Sequence, residues 1–144
     1  MKKTDSVGPS TVLAAGGIVT GDGSNAEKIL LVRRRRYGGD VGLPKGKVKD
    51  KETLLTTALR EVKEETGYDV EIVNYAGTTH YRAGGQQKAV VYFVMKVSAA
   101  GKPGALDNGE VEAVEWATPA EARTRLTYSE DRDLIAALFS LSRA

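Results

Sequence analysis

The chain has 144 residues, of which 41% are hydrophobic and 28% are charged, as expected for one globular domain. It contains no cysteine and one histidine, His80, which excludes Cys/His zinc sites, cysteine nucleophiles and disulfides and leaves oxygen ligands for any metal. A net charge of +2 does not indicate a nucleic-acid partner, and no apolar run reaches the roughly 18 residues of a membrane-spanning helix. We therefore expect a soluble cytoplasmic domain without a membrane partner.

The first part of the chain is predicted to form two strands and a loop. Residues 1–10 are expected to be a flexible leader, so the domain covers 11–144. Apolar, β-branched runs at 11–20 and 28–35 predict strands, since turn-forming residues separate them. The glycine-rich segment 37–51 shows little periodicity and is predicted to be a loop.

Residues 52–66 are strong helix formers and predict a helix of about four turns. Asp50 is a candidate N-cap, and Gly67 stands where a helix commonly ends in a left-handed residue. The apolar residues expected on its buried face are Leu55, Leu59 and Val62 at helical spacing, with Ala58 beside them.

The second half alternates strands, turns and two short helices. The apolar run 89–95 suggests a strand covered on both faces, and Gly84 and Gly85 favour a hairpin before it. Thr118-Pro119 is a helix start signal. The predicted elements are strands at 69–81, 88–97 and 111–116, a loop at 99–109, and helices at 120–126 and 128–141.

Three carboxylates lie close together on the predicted helix. Glu61, Glu64 and Glu65 are spaced i, i+3 and i+4, where like charges repel by a few tenths of a kcal/mol per pair. A solvated acidic face is the ordinary interpretation of such a cluster. The alternative is a site for a hard divalent cation, which relieves the repulsion.

A strongly basic segment precedes the acidic helix. Residues 28–51 contain nine Lys or Arg against two Asp. Because carboxylates hold Mg²⁺ while cationic side chains hold phosphate oxygens, this combination is typical of a metal-dependent polyphosphate site. A solvated strand face is the alternative for the arginine run, since alternate strand residues point to opposite faces.

A 23-residue pattern in this region resembles the signature of the Nudix hydrolases, G-x5-E-x7-R-E-U-x-E-E-x-G-U with U a bulky apolar residue. Only the last position departs from it, because a tyrosine stands where the family has an aliphatic residue. The residues at its nine defined positions are Gly46, Glu52, Arg60, Glu61, Val62, Glu64, Glu65, Gly67 and, at the departing position, Tyr68.

The resemblance implies a single-domain α/β/α sandwich around a mixed sheet and hydrolysis of a phosphoanhydride with Mg²⁺ or Mn²⁺. It implies that Glu61 and Glu65 are metal ligands, and that Glu64 is a ligand or the base that deprotonates the attacking water. Arg60 would orient Glu52 or Glu64. Gly46 would let the loop backbone approach the metal.

Further site residues are expected from the same resemblance. Family members often recruit a later carboxylate, for which Glu110 is the candidate, with Glu112 and Glu115 behind it. His80 is expected to be structural or exposed. The residues expected to bind phosphates are Lys45, Lys88 and either Arg33 or Arg35, and Tyr81 is expected to stack on a base.

The pattern around Lys45, Tyr81 and Lys88 resembles the branch that hydrolyses diadenosine polyphosphates. The alternatives are a triphosphate pyrophosphohydrolase acting on oxidised guanine nucleotides and a Nudix-like module that senses a nucleotide without cleaving it. The expected partner is a small nucleotide substrate rather than a nucleic acid, and the chain is expected to be a monomer or a homodimer.

Overall fold

The computed structural model describes residues 11–98 and 109–141, which form one mixed sheet with helices on both faces. This confirms the predicted α/β/α sandwich. The strands of the described part are β1 (Val12–Thr20), β2 (Ile29–Arg34), β3 (Val41–Gly42), β4 (Lys45–Lys47), β5 (Val70–Ala83), β6 (Gln86–Val97) and β7 (Val111–Ala117). The helices are α1 (Leu54–Thr66), α2 (Pro119–Arg125) and α3 (Ser129–Leu138).

The sheet has the strand order β3-β2-β1-β6-β5, with β7 on the outer side of β2. Strands β1 and β6 run parallel along the whole length of β1, and the other pairs are antiparallel. The β5–β6 hairpin turns at Gly84 and Gly85, whose φ values of 60° and 75° confirm the predicted glycine turn.

The sheet splits between β1 and β2. These strands pair only at Thr20 and Ile29, and the segment between β2 and α1 fills the widening gap. In that segment β3 pairs with β2 and β4 pairs with β1, so the prediction of a continuous loop at 37–51 is corrected. Gly17 N donates to Pro44 O at 3.1 Å, which seats the segment on β1.

Two apolar layers hold the helices to the sheet. Helix α1 covers one face through Ala58 and Val62, which pack with Ala15 and Met95. Helices α2 and α3 cover the other face. The buried residues there include Ala14, Ile18, Tyr92, Ala122, Leu126 and Ile135.

Helix α1 differs from the prediction at its start and in its buried face. Its N-cap is Thr53 rather than Asp50, because Thr53 Oγ1 accepts from Thr56 N at 3.1 Å. Gly67 ends the helix with φ 80°, as predicted. Of the expected apolar residues, Ala58 and Val62 are buried and the two leucines are not.

Leu55 and Leu59 are 48% and 39% exposed. The reason is the small side chains of β1, where Ala15 and Gly17 let α1 approach through Ala58 and Val62 and turn the leucines outward. The buried stripe then continues to Glu65, one turn further along the helix.

The remaining elements follow the prediction closely. Thr118 caps α2 in a capping box with Glu121, and α3 is shorter than predicted at both ends. The expected leader at 1–10 and nearly all of the expected loop at 99–109 lie outside the described residues. Within 11–98 and 109–141, no helix has the length and apolar character needed to cross a membrane.

Candidate functional site

A cavity of about 710 Å³ opens beside the split in the sheet. Its walls come from β1, the β3–β4 segment, α1, the β5–β6 hairpin, the turn before β7 and the start of α3. The split matters because it lets backbone and side chains from both halves of the sheet face one space.

Two of the three helix carboxylates reach this cavity. Glu61 and Glu65 line it, whereas Glu64 is 48% exposed and lies outside the lining. Burial raises the pKa of Glu61, and the Arg60 guanidinium partly opposes that rise. The expected cluster of three is therefore divided, with two carboxylates inside and one at the surface.

Glu65 is the most deeply buried of these acids, at 5% exposure. Its Oε1 accepts from Arg34 Nη2 at 2.8 Å and from Lys45 N at 3.2 Å. Burial raises the pKa of Glu65, while the Arg34 charge lowers it. A buried carboxylate is tolerated here because a buried guanidinium pairs with it.

Arg60 connects the acids around the cavity rim. Its Nε and Nη2 donate to the two oxygens of Glu52 at 2.7 and 2.8 Å, and its Nη1 donates to Glu61 Oε2 at 2.9 Å. The same Nη1 is 3.3 Å from Glu64 Oε1. The hydrogen bonds from Arg60 lower the pKa of Glu52 to about 2, so this acid stays charged.

Gly46 brings the backbone of β4 against the helix carboxylates. A Cβ atom at this position would overlap the carboxylate of Glu61. Only glycine leaves this space open.

The donor set suits a hard cation. The described residues contain no preformed group of three Asp, Glu, His or Cys side chains arranged to hold a metal ion. Mg²⁺, however, is commonly held by one or two carboxylates together with substrate phosphates and waters. Glu61 and Glu65 beside the Gly46 backbone fit that mode of binding.

Basic side chains line the cavity next to the carboxylates. Lys45, Lys47 and Lys88 are among them. Burial, with a contribution from Arg34, lowers the pKa of Lys45 to about 8. At this pKa Lys45 is still mostly protonated at neutral pH, and an incoming phosphate would favour its charged form further.

The arginines at the end of β2 are arranged differently from the expectation. Arg34 and Arg36 line the cavity, and the structure does not bring Arg33 or Arg35 to it. Arg33 Nη2 lies 3.4 Å from Glu115 Oε1 on the opposite side of the strand, and Arg35 is exposed. Arg34 faces α1, where it pairs with Glu65, and Leu30 of the same strand packs in the α1 layer, so strand alternation is the sequence signal that favours Arg34.

The far wall of the cavity comes from the hairpin and α3. Tyr81 is half-buried there, Tyr128 is 43% exposed, and Glu130 and Asp131 lie beside them. Burial raises the pKa of Asp131 to about 6, and the charges of Lys45 and Arg34 oppose the rise. Sequence reasoning missed the α3 residues, because no local pattern in α3 marks them.

The three candidate carboxylates near β7 differ in whether they reach the cavity. Glu110 lines the cavity from the turn before β7, and its charge contributes to the raised pKa of Glu61. Glu112 is exposed, and Glu115 forms ion pairs with Arg33 and Arg125. His80 is exposed on β5 outside the cavity lining.

The profile of the NUDIX domain matches residues 10–138. The chain belongs to the Nudix family. It is 31% identical over 143 residues to an 8-oxo-(d)GTP phosphatase of Mycolicibacterium smegmatis, a match covering 93% of this chain and 43% of the relative. Nudix hydrolase 8 of Arabidopsis thaliana is 29% identical over 114 residues, which cover 76% of this chain and 30% of that protein.

Among solved structures, an Ap4A hydrolase of C. elegans in a binary complex superposes with a TM-score of 0.77 at 25% identity. That match covers 90% of this chain and 96% of the C. elegans chain. This chain therefore spans less than half the length of these two curated relatives but nearly all of the structural one. The matches support the expectation of a Nudix pyrophosphohydrolase.

Proposed function

We propose that this Nudix domain hydrolyses phosphoanhydride bonds in nucleoside diphosphate-linked substrates with Mg²⁺ or Mn²⁺, and that diadenosine polyphosphates are its substrates. The observation that carries the proposal is the composition of one cavity. Carboxylates at Glu61 and Glu65, cations at Lys45 and Lys88, and the ring of Tyr81 all face the same space.

The carboxylate end would hold the cation. Glu61, Glu65 and the backbone of Gly46 would supply oxygen ligands, with Glu64 as a further ligand after its exposed side chain turns inward. The bound cation supplies charge neutralisation at the phosphate being attacked. In the hydrolysis, a water oxygen bonds to phosphorus while the bridging oxygen leaves with the departing phosphate chain.

A carboxylate must also take the proton of the attacking water. Glu64 and Glu110 are the two candidates, and of these only Glu110 lines the cavity. Arg60 would orient the cation-binding Glu61, because it donates hydrogen bonds to Glu52 and Glu61 at the same time. Phosphoryl transfer depends mainly on such positioning and charge stabilisation.

The basic side chains and the aromatic wall would bind the rest of the substrate. Lys45 and Lys88 would bind phosphates that are not being attacked, and Arg34 and Arg36 add positive charge on the same side. Tyr81 would stack on an adenine, a contact worth about 1–3 kcal/mol per base in nucleic-acid binders. We expect the protein to act on small nucleotides in the cytoplasm, as a monomer or a homodimer.

A second candidate substrate is an oxidised guanine nucleoside triphosphate. Asp131 lines the cavity, and this favours the second substrate. A carboxylate can accept hydrogen bonds from the ring and exocyclic N–H groups of a guanine-type base. The M. smegmatis relative, an 8-oxo-(d)GTP phosphatase, adds to this alternative.

Product analysis by ion-exchange chromatography separates the candidates. The protein is incubated with Mg²⁺ and either diadenosine tetraphosphate or 8-oxo-dGTP, beside Glu61→Gln and the matched surface control Glu71→Gln. ATP and AMP from the dinucleotide, with slow triphosphate turnover, support the main proposal. Monophosphate and pyrophosphate from 8-oxo-dGTP replace it with the second candidate.

Binding of nucleotides without any product would instead indicate the nucleotide-sensing module. Product formation by the wild type and Glu71→Gln but not by Glu61→Gln assigns the activity to this cavity. Full activity in Glu61→Gln would contradict the proposed site.

A further inference from the structure

Among the ion-paired arginines of the described residues, Arg34 has the most deeply buried side chain, with 4% of its surface exposed. The side chain of its partner, Glu65, is 6% exposed. Its neighbours Arg33 and Arg36 have exposed or half-exposed side chains. A charge is buried at this depth only when its surroundings are built to receive it.

The surroundings of Arg34 meet that requirement. A Cβ atom on Gly42 would lie 2.5 Å from Arg34 Nη1, so glycine provides the room for the guanidinium. Arg34 Nη2 donates to Leu43 O at 2.9 Å and to Glu65 Oε1 at 2.8 Å. One nitrogen atom thus joins the β3–β4 segment to helix α1.

The two hydrogen bonds that Glu65 receives end on the same oxygen. Arg34 Nη2 and Lys45 N both donate to Oε1, and neither uses Oε2. These two bonds hold the carboxylate by one oxygen and leave Oε2 out of them, in a side chain that lines the cavity together with Glu61 and Gly46.

We propose that Arg34 is a positioning residue, which fixes Glu65 and the neighbouring backbone so that both present oxygen atoms to a divalent cation. This inference rests on the proposed function only for the presence of a cation at Glu61 and Glu65. It assigns Arg34 no contact with substrate or with reacting atoms. Groups that orient a metal ligand typically change metal affinity or activity about 10- to 100-fold when removed.

The test measures Mn²⁺ binding to the full chain without nucleotide, by counting free Mn²⁺ with electron paramagnetic resonance. The variants are Arg34→Met, which removes the charge and both hydrogen bonds, and Arg34→Lys, which keeps the charge on a shorter side chain. Arg132→Met is the matched control, because one Arg132 nitrogen likewise donates to two acceptors, here both backbone carbonyls, but the residue lies outside the cavity lining.

We expect Arg34→Met to raise the Mn²⁺ dissociation constant about tenfold or more, Arg34→Lys to restore part of the affinity, and Arg132→Met to bind as the wild type. Thermal unfolding by circular dichroism identifies variants that do not fold. If Arg34→Met is unfolded, a raised dissociation constant in folded Arg34→Lys supports the inference, and an unchanged one overturns it.

Folded Arg34→Met with wild-type Mn²⁺ affinity would overturn the proposal, as would an equal loss in Arg132→Met or a wild type that binds no Mn²⁺. The proposed function is judged separately by product analysis. A wild type that binds Mn²⁺ through Arg34 but cleaves no nucleotide would contradict the proposed function and leave the role of Arg34 standing.

Discussion

Arg60 and Glu52 form a bidentate ion pair, in which Arg60 Nε lies 2.7 Å from Glu52 Oε2 and Arg60 Nη2 lies 2.8 Å from Glu52 Oε1. The pair holds the guanidinium in one orientation, in which its remaining nitrogen donates to Glu61 Oε2. Glu52 is also fixed by Lys49 N and Thr57 Oγ1. It thus positions Arg60 without itself lining the cavity.

Replacing Glu52 by glutamine is expected to lower kcat about 10- to 100-fold. The glutamine amide cannot accept both hydrogen bonds from Arg60. The guanidinium is then free to compete with the cation for Glu61. Higher Mg²⁺ should restore part of the rate, which a titration of rate against Mg²⁺ measures. The control is Glu121→Gln in the capping box of α2, and equal losses in the two variants would argue against a positioning role for Glu52.

Glu64→Gln and Glu65→Gln are expected to differ in stability. Glu65→Gln leaves the buried Arg34 charge without its partner, which costs about 3–5 kcal/mol of unfolding free energy for a buried pair. Glu64 is half-exposed, so Glu64→Gln should leave that free energy within about 0.5 kcal/mol of the wild type. Urea unfolding without metal measures both values.

Both substitutions are also expected to lower turnover by orders of magnitude, since both residues serve the proposed cation or water. Steady-state kinetics with Mg²⁺ checks this expectation. Near wild-type turnover in either variant would remove that glutamate from the site, and equal stability of the two variants would contradict the buried pairing of Glu65.

Gly46→Ala is expected to abolish most activity while the chain still folds. The added methyl group would overlap the Glu61 carboxylate and displace it from the cavity. Gly109→Ala is the matched control, because a Cβ at Gly109 meets nothing within 4 Å. If turnover with Mg²⁺ is unchanged in Gly46→Ala, the close approach at Gly46 has no functional role.

Asp131→Asn is expected to stabilise the protein at neutral and alkaline pH. The pKa of Asp131 rises from 3.8 to about 6 on folding because burial disfavours its charge. The folded state therefore holds this proton more tightly. Above pH 7 the charged carboxylate lowers the free energy of unfolding by roughly 1–3 kcal/mol. Lys45, Arg34, Glu130 and Asp40 also act on this group.

The expected gain is full at pH 8, decreases as the pH falls below about 6, and vanishes below about pH 3, where Asp131 is protonated in both states. Thermal unfolding of the metal-free wild type and Asp131→Asn across this range measures it. A gain that persists unchanged at pH 4 would show that charge burial is not its cause.

The Nudix family, the oxygen-donor character of the site and the main helix were determined by the sequence itself. Local features were sufficient for these conclusions. The absence of cysteine excluded thiolate ligands, Gly67 marked the end of α1, and Gly84 and Gly85 marked the hairpin. Each depends on residue chemistry or on backbone conformation within a few positions.

Only the tertiary structure decided which charges face the cavity. Helical spacing alone placed Leu55 and Leu59 inside, but the close packing of Ala58 on β1 turned them outward and buried Glu65 instead. The burial of Glu65 in turn selects Arg34 from the arginine run, since a buried carboxylate requires a buried cation. Asp131 reaches the same cavity from α3, because packing brings together segments whose separation in sequence leaves no local pattern.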